Sequence, residues 1–118
     1  MEEVLSEAQA QGGLDDEAFA RLWIRDRLQR KPRSRALLAQ ELRAYGLSDE
    51  LIEQALTQEM RDEDETEALH RLLEEALARY RGRGLDPATL ERRLYAFLRR
   101  RGFSPEAIRR ELRSLHRP

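Results

Sequence analysis

No cysteine occurs among the 118 residues. Disulfides and thiolate metal sites are thereby excluded, and residence in a reducing cytoplasm is expected. Histidine is almost as scarce: His70 and His116 lie far apart in sequence, and neither has a companion at metal-ligand spacing. No GxxxxGK[ST], GxGxxG or GxSxG stretch is present, so there is no phosphate-cradling loop, dinucleotide fingerprint or nucleophile elbow. No apolar run approaches the ~20 residues of a membrane-spanning helix. The opening MEEVLSEAQAQ is acidic and polar, unlike a signal peptide. We therefore expect no enzyme, no cofactor, no metal and no small-molecule substrate.

Lysine is the other scarcity. Of 22 basic residues only Lys31 is lysine, and the rest are arginine. Codon bias toward arginine in a GC-rich genome accounts for this, and arginine also suits bidentate pairing with carboxylates or phosphates. Charged residues make up 38% of the chain and hydrophobic ones 40%, against roughly 25% charged in ordinary globular domains. Disorder is the competing reading of such a composition, but the apolar residues recur at helical spacing. The overall net charge of -1 hides alternating blocks. Residues 1–17 are acidic, 18–48 basic, 49–70 acidic and 71–118 basic. Small helical modules with wide solvated faces fit this pattern.

Residues 14–56, LDDEAFARLWIRDRLQRKPRSRALLAQELRAYGLSDELIEQAL, carry the clearest plan: three short helices and two punctuated joints. Asp15 and Asp16 are N-cap candidates for a helix over 16–30. Phe19, Leu22 and Trp23 form its inward stripe, continued by Ala20, Ile24 and Leu28. Trp23 reads as a core anchor rather than a base-stacking platform. Asp26 falls on the apolar stripe, where an unpaired carboxylate is costly. It is expected to lean to solvent, to cap the next joint, or to pair with Arg35 or Arg43. Pro32 breaks the chain and Ser34 caps a helix over 35–45 with Leu38, Leu42 and Tyr45 inward. Gly46 fits the left-handed stop. Ser48 then caps a helix to about residue 60, with Ile52, Ala55 and Leu56 inward.

The acidic stretch RDEDETE at 61–67 reads as the solvated start of another helix. Leu69, Leu72, Leu73, Ala76, Leu77 and Tyr80 form its stripe. Arg79, Arg81 and Arg83, with Gly82 and Gly84, make a basic exit loop. Asp86-Pro87 and Ser104-Pro105 are strong helix starts. Leu90, Leu94, Phe97 and Leu98 point inward from the first of these helices, and Ile108, Leu112 and Leu115 from the second. A shift of 56 residues superposes Gly46 on Gly102, Ser48 on Ser104, Leu38 and Leu42 on Leu94 and Leu98, and Ile52 and Leu56 on Ile108 and Leu112. The fold class expected is all-α, built of tandem three-helix repeats in an elongated, solenoid-like array whose neighbours share burial. The units run over 14–61 and 62–118. Residues 1–13, with Val4, Leu5 and Ala8 on one face and Gly12-Gly13 as a stop, read as the last helix of an earlier unit.

These segments resemble the RecX family, regulators of the RecA recombinase. The resemblance rests on residues 14–56 and on RRLYAFLRRRGFSPEAIRREL at 92–112, which looks like the family's third unit. It implies a non-enzymatic protein of DNA repair, homologous recombination and the SOS response. Such a protein lies along the groove of the RecA–DNA filament and usually inhibits recombinase, ATPase and coprotease activity. RecA and DNA, reached directly or through RecA, are the partners implied, with the chain acting as a monomer. A complete first unit is usual in the family, and only its last helix is expected here. The alternative is a helical DNA-binding module acting without RecA. From charge and inferred exposure, the candidate partner-binding residues are Arg25, Arg30, Lys31, Arg33 and Arg35 in the first basic block. In the second they are Arg79, Arg81, Arg83, Arg92, Arg93 and Arg99.

Overall fold

The computed structural model describes residues 15–116, except the side chain of His116. The helix expected around Val4, Leu5 and Ala8 lies outside the described residues. Among the described residues six α-helices follow one another: α1 Asp16–Arg30, α2 Arg35–Ala44, α3 Asp49–Glu59, α4 Asp62–Tyr80, α5 Pro87–Arg100 and α6 Pro105–Arg113, with a 3₁₀ turn over Ser114–His116. No strand occurs among the described residues. The molecule measures 51 × 25 × 19 Å, the elongated shape of a tandem helical array.

Local chemistry sets the helix starts. The side chains of Ser34, Ser48, Asp86 and Ser104 accept the backbone N–H of Leu37, Leu51, Thr89 and Ala107 at 2.8–3.2 Å. Each such cap contributes about 1 kcal/mol. Pro87 and Pro105 sit at the first helical turn, where a missing N–H costs nothing. Asp15 stands at the N-cap of α1 but makes no side-chain cap bond, because its backbone is not extended there. Its carboxylate, with those of Asp16 and Glu17, therefore acts only through the helix dipole. At the start of α4 the Asp64 carboxylate accepts the backbone N–H of Arg61 at 2.8 Å and the Arg61 guanidinium at 3.0 Å. The side-chain and then the backbone bond from Arg61 hold the Asp64 carboxyl below its usual pKa.

The 56-residue repeat holds at the level of single bonds. Gly46 and Gly102 both have positive φ, +87° and +91°. Gly46 donates to the carbonyl of Arg43, and Gly102 to that of Arg99, at 2.9 Å in each case. Leu47 donates to Leu42, and Phe103 to Leu98, both at 3.3 Å. Each pair forms the crossed bonds of a Schellman stop. The residue after each glycine is then turned inward, and Leu47 and Phe103 are both buried.

Each three-helix unit closes its own core. In the first, α1 packs on α3 and α2 on α3, burying Phe19, Trp23, Ile24, Leu38, Leu42, Leu47, Ile52, Leu56 and Met60. In the second, α4, α5 and α6 bury Leu69, Leu72, Leu73, Leu94, Phe97, Leu98, Phe103, Ile108 and Leu112. Leu77, Tyr80 and Leu90 are partly buried against it. Neighbouring units share burial only at the joint: the hydrophobic clusters are separate, and the units meet where Gly102 packs against buried Ser34 and against Leu37 and through polar ties. Ser34 N–H donates to the Arg101 carbonyl at 2.9 Å, Arg35 N–H to Glu65 at 3.3 Å, and the Arg71 guanidinium to the Gln29 carbonyl at 3.2 Å.

Three side chains differ from the sequence reading. Leu22 is 44% exposed, since the buried arc of α1 runs from Phe19 through Trp23 to Ala20 and Ile24. At ~100° per residue Leu22 falls about 60° outside that arc. Tyr45 is also largely exposed, although its ring lies edge-on to Phe19 and Trp23 at 5.7 and 5.2 Å. Leu115 is exposed as well. Asp26 pairs with neither Arg35 nor Arg43. Its partners are Arg27 at 2.7 Å and Arg30 at 3.3 Å on its own helix, while Arg35 binds Glu53 and Arg43 binds Asp49.

Glu59 ties the end of α3 to α1 by accepting Arg25 and Arg21 at 2.7 and 2.6 Å. The Arg25 hydrogen bond, opposed by burial and helped by Arg21, holds its carboxyl at about 2, against an ordinary 4.5. A carboxyl depressed on folding stabilises the protein above its unfolded pKa and loses that contribution as pH falls through the folded one. Stability is therefore expected to fall between about pH 4.5 and 2, and Glu59→Gln to flatten that part of the profile. Urea titrations across the interval check it. An unchanged slope in the variant would exclude this tie as the source.

Candidate interaction surface

The arginines divide sharply between the two units. In the first unit nearly every guanidinium already holds a carboxylate. Arg25 binds Glu59, Arg30 binds Asp26 and Arg35 binds Glu53. Arg33, selected from sequence as exposed, is only 8% exposed. It forms a close ion pair with Glu41 and donates through Nε to the Lys31 carbonyl at 3.0 Å. Glu41 also accepts the Trp23 indole N–H at 3.0 Å, so Arg33 belongs to the scaffold around the core tryptophan. Lys31 is exposed.

In the second unit the balance reverses. From residue 79 to residue 113 there are eleven arginines and four acids. Among the described residues none of these arginines has the carboxylate of Asp86, Glu106 or Glu111 within 4.0 Å, and Glu91 is itself engaged. Helix α5 aligns four of them. Leu94, Phe97 and Leu98 turn inward, leaving Arg92, Arg93, Arg99 and Arg100 on the solvent face. Arg92 donates to the Thr89 hydroxyl at 3.2 Å, and Arg99 to the Phe103 carbonyl at 2.8 Å. Arg79 ends α4 and lies over the Phe97 ring, 5.4 Å from its centroid. Arg81 and Arg83 are exposed in the loop that follows, where Gly82 and Gly84 adopt positive φ.

Of the eleven residues selected from sequence, Arg79, Arg81, Arg83, Arg92, Arg93 and Arg99 lie exposed on the second unit. Arg25, Arg30, Arg33 and Arg35 stand in ion pairs on the first. Arg100 and Arg101 were missed, although the run Arg99-Arg100-Arg101 before Gly102 was a visible signal. Chemically, such a surface suits anions: phosphate groups or clustered carboxylates. A groove of about 700 Å³ between α5 and α6 includes Arg92, Tyr95 and Arg109. Among the described residues no group of three or more His, Cys, Asp and Glu is placed to hold a metal ion. No described helix is long and apolar enough to cross a membrane.

Comparison with known proteins agrees with this architecture. The family profile described as "RecX, second three-helix domain" matches residues 15–56, and "RecX, third three-helix domain" matches residues 62–112. The regulatory protein RecX of Treponema pallidum is 43% identical over 97 residues, covering 82% of this chain and 54% of that protein. The regulatory protein RecX of Pelodictyon phaeoclathratiforme is 35% identical over 118 residues, covering all of this chain and 70% of that one. A crystal structure of regulatory protein RecX superposes with a TM-score of 0.71 at 25% identity, over 95% of this chain and 55% of that one. The chain thus spans about half the length of some relatives and more of others. With two consecutive domain profiles, 35% identity to one relative over the whole chain and the same fold in agreement, the chain belongs to the RecX family of regulatory proteins.

Proposed function

We propose that this protein is a non-enzymatic, cytoplasmic regulator that lies along the groove of the RecA–DNA filament as a monomer. There it modulates, usually by inhibition, recombinase, ATPase and coprotease activity. The units are residues 14–61 and 62–118. The first acts mainly as a spacer that sets the array's length, and the second supplies the anion-binding face. The observation that carries this reading is the asymmetry of the arginines. A 51 Å body whose first unit pairs its arginines internally and whose second carries an arginine-rich stretch from residue 79 to 113 can follow a groove and still present positive charge to it. Arg79, Arg81, Arg83, Arg92, Arg93 and Arg99 are the contact residues proposed on the second unit. Arg25, Arg30 and Arg35 contribute only where a partner competes with their present carboxylates, while Lys31 is exposed and contributes directly. Arg33 contributes by holding the scaffold.

The purified protein is expected to slow RecA-driven ATP hydrolysis on single-stranded DNA in a dose-dependent way. Charge reversal at Arg92 and Arg99 together should weaken that effect by tenfold or more in concentration, while reversal at Arg43 should leave it near wild type. No slowing at several-fold excess over RecA would refute the reading.

A further inference from the structure

His70 of α4 has a carboxylate at each ring nitrogen. Its Nδ1 lies 2.8 Å from Glu111 Oε1 on α6, and its Nε2 lies 3.1 Å from Glu74 Oε1, one turn further along α4. A neutral imidazole carries one N–H and one lone pair, so it satisfies one carboxylate and repels the other. Only the imidazolium, with an N–H on both nitrogens, satisfies both. The two carboxylates are not equivalent. The Glu111 side chain is 15% exposed, whereas that of Glu74 is 68% exposed and turns to water at little cost. The Glu111 hydrogen bond, opposed by burial and helped by Glu74, raises the His70 pKa above its ordinary 6.5. Other charges stand nearby. On α4, Glu67 lies three residues before His70, while Arg71 is held by Glu75 and the Gln29 carbonyl. On α6, Arg110 adjoins Glu111 and shares a cleft with Asp62 and Glu65. Helix α5 meets α4 through the apolar core of Leu94, Phe97 and Leu98.

We propose that His70 is a proton-dependent clamp on α6, closed as the imidazolium between Glu74 and Glu111 and loosened when the ring loses its proton. The neutral ring keeps one N–H, which serves the sheltered Glu111 while Glu74 turns to solvent. The tie between α4 and α6 then falls from an ion pair to a hydrogen bond from a neutral donor, which is weaker. Helix α6 has nine residues and forms one wall of the groove between α5 and α6, so its loosening shifts the Arg109 and Leu112 side of that groove. A pKa raised on folding contributes stability that is full below 6.5 and is lost as pH rises through the folded value. The second unit therefore weakens as pH rises from 6.5, and the first unit, which has no histidine, does not. The clamp needs neither RecA nor DNA, so it stands or falls apart from the proposed function.

The test is proton NMR of the imidazole rings together with amide hydrogen exchange, on the full chain, between about pH 6 and 8.5. The His70 resonance, assigned by its loss in His70→Asn, should titrate with a midpoint above that of the urea-unfolded chain. Glu111→Gln should lower that midpoint more than Glu74→Gln does. After correction for the intrinsic effect of pH, exchange over residues 108–113 should quicken roughly threefold across the interval. Exchange over α1–α3 should not, and His70→Asn should abolish the difference. His70 and Glu74 are exposed, so their variants remain informative if Glu111→Gln fails to fold, which a circular dichroism melt detects. Three results overturn the clamp: a midpoint at or below that of the unfolded chain, the same acceleration in His70→Asn, or equal acceleration in both units.

Discussion

Gly102→Ala is expected to destabilise the protein by about 3 kcal/mol, against about 1 kcal/mol for Gly46→Ala, its equivalent in the first unit. An L-residue in the left-handed region costs 1–2 kcal/mol at either position, and both glycines have positive φ. The difference lies in the surroundings. A Cβ at Gly46 meets nothing within 4 Å, whereas one at Gly102 falls 2.3 Å from Ser34 Oγ and 2.6 Å from Leu37 Cβ. Neither neighbour yields freely. Ser34 is buried and caps α2, and the Leu37 Cβ is fixed by its helix. Overpacking of this kind adds about 1–3 kcal/mol. The melting temperature of Gly102→Ala should fall by roughly 10 °C, and that of Gly46→Ala by a third of that. Equal losses at the two positions would mean that the units do not approach at Gly102.

Trp23→Ala should cost about 3–5 kcal/mol, the range for removing a large aromatic from a core. Trp23 is 4% exposed and touches the rings of Phe19 and Tyr45. The Arg27 guanidinium carbon lies 3.9 Å from its ring centroid, a cation–π contact. Its indole N–H also holds Glu41, the partner of buried Arg33, so truncation loosens a polar network as well as leaving a cavity. Because each unit buries its own cluster, the loss should fall on the first unit. Hydrogen exchange is expected to accelerate over α1–α3 far more than over α4–α6. Uniform acceleration would show that the two clusters unfold as one.

Helix starts and stops were legible because their causes are local. A serine or aspartate that caps a helix binds an N–H three residues on, and a glycine stop binds within its own last turn. The 56-residue shift was legible for the same reason, since each copy repeats local bonds. Leu47 and Phe103 were overlooked as core residues, although a hydrophobic residue after a glycine stop is a known companion of that motif. Leu22 was misplaced because an i, i+3, i+4 stripe identifies a helix face only to within a residue's width. Of the alternatives for Asp26, the pairing with Arg35 or Arg43 across the fold gives way to Arg27 and Arg30, one residue and one turn away.

By itself the sequence determined the described helices, the caps at Ser34, Ser48, Asp86 and Ser104, the tandem three-helix plan and the family, because these follow from contacts within a few residues and from a pattern stated twice. Tertiary structure alone decided which arginines are neutralised. Arg25 meets Glu59 34 residues away and Arg33 is buried against Glu41, whereas Arg92, Arg93, Arg99 and Arg100 of α5 project to solvent. Charge is written residue by residue, but its cancellation depends on distance through space. Only the packed molecule could separate the scaffold arginines from those left to act.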